Sequence, residues 1–195
     1  MKVAIIKYNA GNVYSVSHAL QRLGISPIVT DNKEELMASD KIIFPGVGEA
    51  STTMQYLKTS GLDSLIVDLK QPVLGICLGM QLLCSHSVEG NVDCLNIFES
   101  RVEKFSKDSL SIKVPHMGWN TIKNLQTPLF EGVDEDTFFY FVHSYYVPLS
   151  KHTIATCNYG LSFSAAIKKN NFHATQFHPE KSGDLGSIVL ENFLK

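Results

Sequence analysis

The sequence predicts an α/β fold: a doubly wound, mostly parallel sheet with helices on both faces and antiparallel additions in the C-terminal half. Three observations predict it. From residue 1 to about 85, short apolar runs of strand length alternate with stretches of helical periodicity, the pattern of right-handed βαβ units. Asn, Gly and Pro punctuate the runs where turns are needed. From about residue 137 the helical periodicity gives way to strand-length runs with short turns between them, which suits antiparallel pairing. The chain has 195 residues, 44% of them hydrophobic. That is enough to bury a core without disulfide or metal staples, and a single domain over 1–195 is expected.

Each element has its own local cause. The apolar run 3–6 reads as a buried strand, closed by a turn at Asn9-Ala10-Gly11-Asn12. Val13, Val16, Ala19, Leu20 and Leu23 recur at helical spacing, and Gly24 stops the pattern. Residues 26–30 read as a second strand, 32–39 as a short helix and 41–44 as a third strand before Pro45-Gly46-Val47-Gly48. Helices are expected over 50–60 and 62–69, a strand over 72–76 and a helix over 78–85. Strands are expected over 137–142, 153–158, 162–168 and 172–176, with a closing helix over 187–194. The stretch 89–135 has no clear period and reads as loops.

Composition excludes several classes of function. There are 17 basic and 19 acidic residues, net −2, and no basic run, so no nucleic-acid partner is expected. The longest uncharged stretch, 71–88, carries Pro72, Gly75, Gly79, Gln81, Ser85 and His86, and does not suit a membrane helix. The N-terminus lacks the apolar core of a secretory signal. Cys77, Cys84, Cys94 and Cys157 include no Cys-x-x-Cys pair, so no metal site is expected. Reduced thiols and a cytoplasmic location are the expectation.

The strongest chemical signal is Gly75-Ile76-Cys77-Leu78-Gly79, set between an apolar strand and an apolar helix. This is the glycine-x-nucleophile-x-glycine form of a strand-to-helix elbow, with glycines expected to allow the sharp turn. The helix N-terminus favours a thiolate and aims backbone N–H groups at a developing oxyanion. The same residues would also suit a buried cysteine in an ordinary βα turn. A second signal is Gln176-Phe177-His178-Pro179-Glu180 after a strand. Pro179 biases His178 toward extended backbone, where side chains two apart share a side, so Glu180 can orient the His178 ring. Alone, the stretch also suits a solvated surface turn. A third is the loop Gly46-Val47-Gly48, whose N–H groups could complete an oxyanion hole at the carboxyl end of a strand, though alone it better suits an ordinary βα turn. Pro115-His116-Met117-Gly118-Trp119-Asn120 holds the only tryptophan; Met117 and Trp119 suit the core or an anchor at a partner surface, and residue types alone favour the core. The run 140–146 reads as an aromatic strand with a polar end.

Taken together, these segments resemble the class I, triad-type glutamine amidotransferases. The likeness covers essentially the whole chain through the stretches at 45–48, 75–83, 115–120, 141–146 and 176–182. It implies a class I glutaminase-like, flavodoxin-like sheet. It also implies Cys77 as nucleophile, His178 as general base and acid, and Glu180 as the group that orients it. Gly46, Val47, Gly48 and the N–H of Leu78 match the oxyanion site; Gln81, His143, Ser144 and Tyr145 match residues that hold glutamine. Met117, Trp119 and Asn120 match a face turned to a partner, a (β/α)₈-barrel cyclase subunit that takes up ammonia. No cofactor is implied. If Val47 turns its carbonyl toward the site at rest, the oxyanion hole stays incomplete until a peptide flip driven by ligand in the partner. Three rivals remain open: a glutaminase serving another synthase, a non-catalytic subunit that kept the fold, and a cysteine peptidase of similar fold.

Overall fold

The structure, a computed structural model, describes residues 1–8, 12–107 and 112–195. The turn expected at 9–12 therefore lies mostly outside the described residues. The first half winds as β1 (Val3–Ile6), α1 (Val13–Arg22), β2 (Ile28–Thr30), α2 (Lys33–Met37), β3 (Lys41–Phe44), α3 (Ala50–Ser60), α4 (Leu62–Asp68), β4 (Val73–Ile76) and α5 (Leu78–Leu82). After it come β5 (His86–Ser87), β6 (Val92–Asp93), β7 (Arg101–Lys104), β8 (His116–Lys123), β9 (Thr137–His143) and β10 (Tyr145–Tyr146). The chain closes through β11 (Thr153–Tyr159), β12 (Leu161–Lys169), β13 (Phe172–Thr175) and α6 (Gly183–Leu194).

Nine strands form one sheet in the order β2-β1-β3-β4-β13-β12-β11-β8-β9. The first five are parallel, and β12, β11, β8 and β9 add antiparallel. β13 corrects the expectation for the C-terminal half: it pairs parallel with β4, Ala174 opposite Gly75 and Thr175 opposite Ile76. The stretch 89–135 is more structured than a set of loops. It contributes β8 to the main sheet, and β10-β7-β5-β6 form a small second sheet.

Strand alternation feeds two cores, one on each face. Val3, Ile5, Ile43, Leu74 and Ile76 pack with α1 and α6 through Val16, Leu20, Val189, Leu190 and Phe193. Ala4, Ile6, Ile42, Phe44 and Val73 pack with Leu36 of α2, Met54 and Leu57 of α3, Ile66 of α4 and Met80 of α5. Strands buried on both faces read as unbroken apolar runs, which is why β1, β3 and β4 stand out in the sequence.

Candidate active site

β3, β4 and β13 are neighbours and run parallel. Their carboxyl ends therefore deliver the 46–48 loop, Cys77 and His178 to one edge of the sheet, where open α/β sheets bind ligands. Cys77 sits at the end of β4 with φ 55° and ψ −108°. The positive φ of the elbow falls on the cysteine itself, while the two flanking glycines serve close approach. A Cβ on Gly79 would lie 2.0 Å from the Phe44 carbonyl oxygen, and one on Gly75 would lie 2.8 Å from Leu83 Cδ1. The Cys77 N–H is tied to the Thr175 carbonyl at 2.8 Å. The strained backbone is thus held by the strand next door.

His178 and Glu180 meet as expected from their spacing. Nδ1 of His178 is 2.8 Å from Glu180 Oε1, and both side chains are buried. Asn12, at the start of α1, adds an Nδ2–H to the same carboxylate oxygen at 3.3 Å. The His178 backbone is fixed by its N–H to Tyr140 O at 2.9 Å and by Ser182 Oγ donating to its carbonyl at 2.7 Å. Burial pushes the His178 pKa down, but Cys77 beside the ring and then Glu180 outweigh it and raise it above the ordinary value. The sulfur acts on the ring without meeting it in hydrogen-bond geometry, for His178 Nε2 is buried and unpartnered. Instead Cys77 Sγ lies 3.8 Å from the Val142 carbonyl and receives Gln176 Nε2 at 3.6 Å.

The N–H groups expected to face an oxyanion are not both free. The Leu78 N–H already donates to the Gly46 carbonyl at 3.3 Å. Since a trans peptide points its C=O and N–H in opposite directions, the Val47 N–H faces away from the elbow. It is the Gly46 carbonyl that is turned inward, onto the Leu78 N–H. The loop is closely seated: a Cβ on Gly46 would lie 2.5 Å from Gly79 N and 2.8 Å from the Tyr8 hydroxyl. That hydroxyl donates to the Pro45 carbonyl.

A cavity of about 340 Å³ opens beside the sulfur. It is lined by Val47, Gly48, Leu78, Gln81, His143, Ser144 and Tyr145, all expected, and by Glu89 and Pro115, which were not. Glu89 accepts from the Ala50 N–H at 2.9 Å, and burial raises its carboxyl pKa. Nothing in the sequence marks it, because a lone glutamate before a glycine is ordinary. Gln176, buried and aimed at Cys77, was likewise missed as a site residue.

Met117 and Trp119 correct the core expectation: they are 63% and 55% exposed. They occupy alternate positions on β8, so both leave the sheet on its outer face. The side chain of Asn120 takes the other face, donating to Asn158 O at 3.0 Å and meeting His116 Nε2 at 3.2 Å. Among the described residues, no group of three or more His, Cys, Asp or Glu is placed to hold a metal ion.

The family model for glutamine amidotransferase class-I matches residues 4–195. The chain belongs to the class I glutamine amidotransferases. Curated relatives of this amidotransferase include the imidazole glycerol phosphate synthase subunit HisH of Bacteroides fragilis, 61% identical over 195 residues and covering 100% of both chains. The protein of the same name from Pasteurella multocida is 47% identical, over 99% of this chain and 97% of that one. Among solved structures, a glutamine amidotransferase superposes with TM-score 0.76 at 20% identity, with 100% of both chains covered. Another glutamine amidotransferase, from Thermotoga maritima, gives 0.62 at 16% identity, over 100% of this chain and 82% of that one. At such identities, these two speak for the amidotransferase fold alone.

Proposed function

We propose that this chain is the glutaminase subunit of imidazole glycerol phosphate synthase, hydrolysing glutamine to glutamate and ammonia in histidine biosynthesis. The observation that carries it is the meeting of Cys77, the 46–48 loop and the His178–Glu180 pair at the ends of three adjacent strands, beside one cavity. The 61% identity to a relative of that name supports the choice of synthase. The whole chain acts as one amidotransferase domain, and its biosynthetic role is a cytoplasmic one.

In the proposed mechanism, His178 takes the thiol proton and Cys77 Sγ attacks the side-chain amide carbon of glutamine. The new oxyanion is held by N–H groups at Leu78 and, after the Gly46–Val47 peptide turns, at Val47. His178 gives its proton to the leaving nitrogen, ammonia departs and a γ-glutamyl thioester remains. Water deprotonated by His178 then attacks the thioester, releasing glutamate and returning the proton to the sulfur. Glu180 stays ionised and holds the ring. Gln81, His143, Ser144 and Tyr145 line the place of the amino-acid end, and the Glu89 carboxylate is suited to its ammonium group. No cofactor enters these steps.

Ammonia is passed to a (β/α)₈-barrel cyclase subunit, which makes imidazole glycerol phosphate and an aminoimidazole carboxamide ribotide. Met117, Trp119 and the exposed Phe138 of β9 form an apolar face suited to that docking, in a heterodimer. Asn120 belongs to the inner side of the same strand. The test is glutamate release by the purified chain, alone and with the cyclase plus its nucleotide ligand. Strong stimulation by the liganded partner, abolished by Cys77→Ala without loss of partner binding, is the expected result. Turnover surviving in Cys77→Ala would overturn the proposal.

A further inference from the structure

Behind the cavity, a buried chain of polar groups runs from β8 to the nucleophile. The Tyr145 carbonyl stands at its centre and accepts twice: His143 Nδ1 is at 2.7 Å and Gln81 Nε2 at 3.0 Å. A carbonyl can only accept, so this one atom sets the direction of every neighbour. On one side, His143 carries its proton on Nδ1, leaving Nε2 as an acceptor. His116 Nδ1 lies 3.0 Å from that nitrogen and must therefore carry a proton too. Nε2 of His116 is then an acceptor, and Asn120 Nδ2 donates to it at 3.2 Å. On the other side, Gln81 Nε2 spends its second N–H on Gln176 Oε1 at 2.9 Å. Gln176 is thereby turned so that its own Nε2 faces Cys77 Sγ at 3.6 Å. Both imidazoles must be neutral for the pattern to close. Burial lowers the pKa of His116 to about 4 and that of His143 to about 3.

We infer that His116 is a positioning residue for the reaction at Cys77, acting through His143 and the Tyr145 carbonyl on the amides of Gln81 and Gln176. The inference rests on the glutaminase reading of the site. His116 touches neither the sulfur nor the cavity; it stacks on Tyr159 at 3.9 Å and on Phe141 at 4.9 Å between ring centroids. Its Nδ1–H holds His143 in the tautomer that donates to Tyr145 O. Without that donor, the Nε2 lone pair of His143 is left without a partner, and the Tyr145 carbonyl alone holds the ring in its Nδ1–H form. Ring and carbonyl are then less firmly placed, and with them the Gln81 amide that orients Gln176.

Two substitutions separate positioning from packing. His116→Phe keeps the aromatic stack and removes the donor. His116→Asn loses the stack and puts an N–H at the δ position, within reach of His143 Nε2. In complex with the cyclase, Phe is expected to lower glutamine kcat/KM about tenfold, and Asn to retain activity within about threefold of wild type. Activity in Phe equal to or above that in Asn, or two variants indistinguishable from wild type, would overturn the inference. Should either variant fail to fold, ¹⁵N-histidine NMR of the wild-type full chain decides. Protons on Nδ1 and none on Nε2 are expected for both rings, and an Nε2–H on either ring refutes the chain of donors. Cys77→Ala, run alongside, tells the two failures apart: residual turnover there discards the glutaminase site itself, whatever the His116 variants do.

Discussion

Acidification should cost this protein stability through the His116–His143 pair, by an amount the burial of the two rings sets. Each has an ordinary pKa of 6.5, lowered in the fold to about 4 for His116 and about 3 for His143, by burial in both cases. The unfolded chain binds protons that the folded chain refuses, so the stability loss begins as pH falls through 6.5 and continues toward the folded values. One pKa unit corresponds to about 1.36 kcal/mol, so a fall from pH 7.5 to 5 costs about 2 kcal/mol per ring and about 4 for the pair. His178, with a raised pKa, changes its contribution above pH 6.5, where stability is lost as pH rises toward its folded value. His173 is lowered to about 4 and steepens the acid limb in every variant alike. Urea unfolding at half-unit steps from pH 7.5 to 5, for wild type and His116→Phe, isolates the effect. The variant should lose about 2 kcal/mol less across the range, a slope shallower by one proton. Identical slopes would show that His116 titrates normally in the folded chain, and the assigned tautomers would fall with it.

Glu180→Gln keeps a hydrogen-bond partner for His178 but removes the charge, and glutaminase kcat should drop by roughly 10²- to 10⁴-fold with glutamine KM little changed. A wild-type rate would show that the carboxylate has no part in holding the ring. Gly186→Ala drives a Cβ to 2.0 Å from the Pro179 carbonyl oxygen, on the turn between His178 and Glu180. A loss of about 1–3 kcal/mol in urea unfolding is expected, with activity falling too. Trp119→Ala should weaken cyclase binding by about 2 kcal/mol, near thirtyfold in Kd, while shifting stability by less than about 0.5 kcal/mol. An unchanged Kd in calorimetry would move the docking face elsewhere.

The elements that hold the site were legible because buried parallel strands announce themselves. Val3–Ile6, Lys41–Phe44 and Val73–Ile76 are near-continuous apolar runs, each followed in the sequence within three residues by a glycine or an asparagine. The Cys77 elbow and the His178–Glu180 spacing were legible for the same reason, as short patterns at fixed offsets. The small sheet of β5, β6, β7 and β10 was not, since strands of two to four residues are too short to show a period. Nor was the outward face of Met117 and Trp119, because residue type favours burial and only the pairing of β8 with β9 decides which side is out. The partners of Glu180 and Cys77 lie 168 and 99 residues away in Asn12 and Gln176, a separation no local pattern spans. The orientation of the Gly46–Val47 peptide is a backbone choice that glycine leaves open.

β8 spends both of its faces. Met117 and Trp119 look outward while His116 and Asn120, each one position away, look inward to the polar chain behind Cys77. A strand is a single residue thick, so a body pressing on 117 and 119 presses on the backs of 116, 118 and 120. Displacing β8 by a fraction of an ångström would lengthen the His116–His143 contact before any atom of the visitor reached the cavity. On the proposed reading, a partner docked on 117 and 119 would bear on the same stretch of backbone that carries His116 and Asn120.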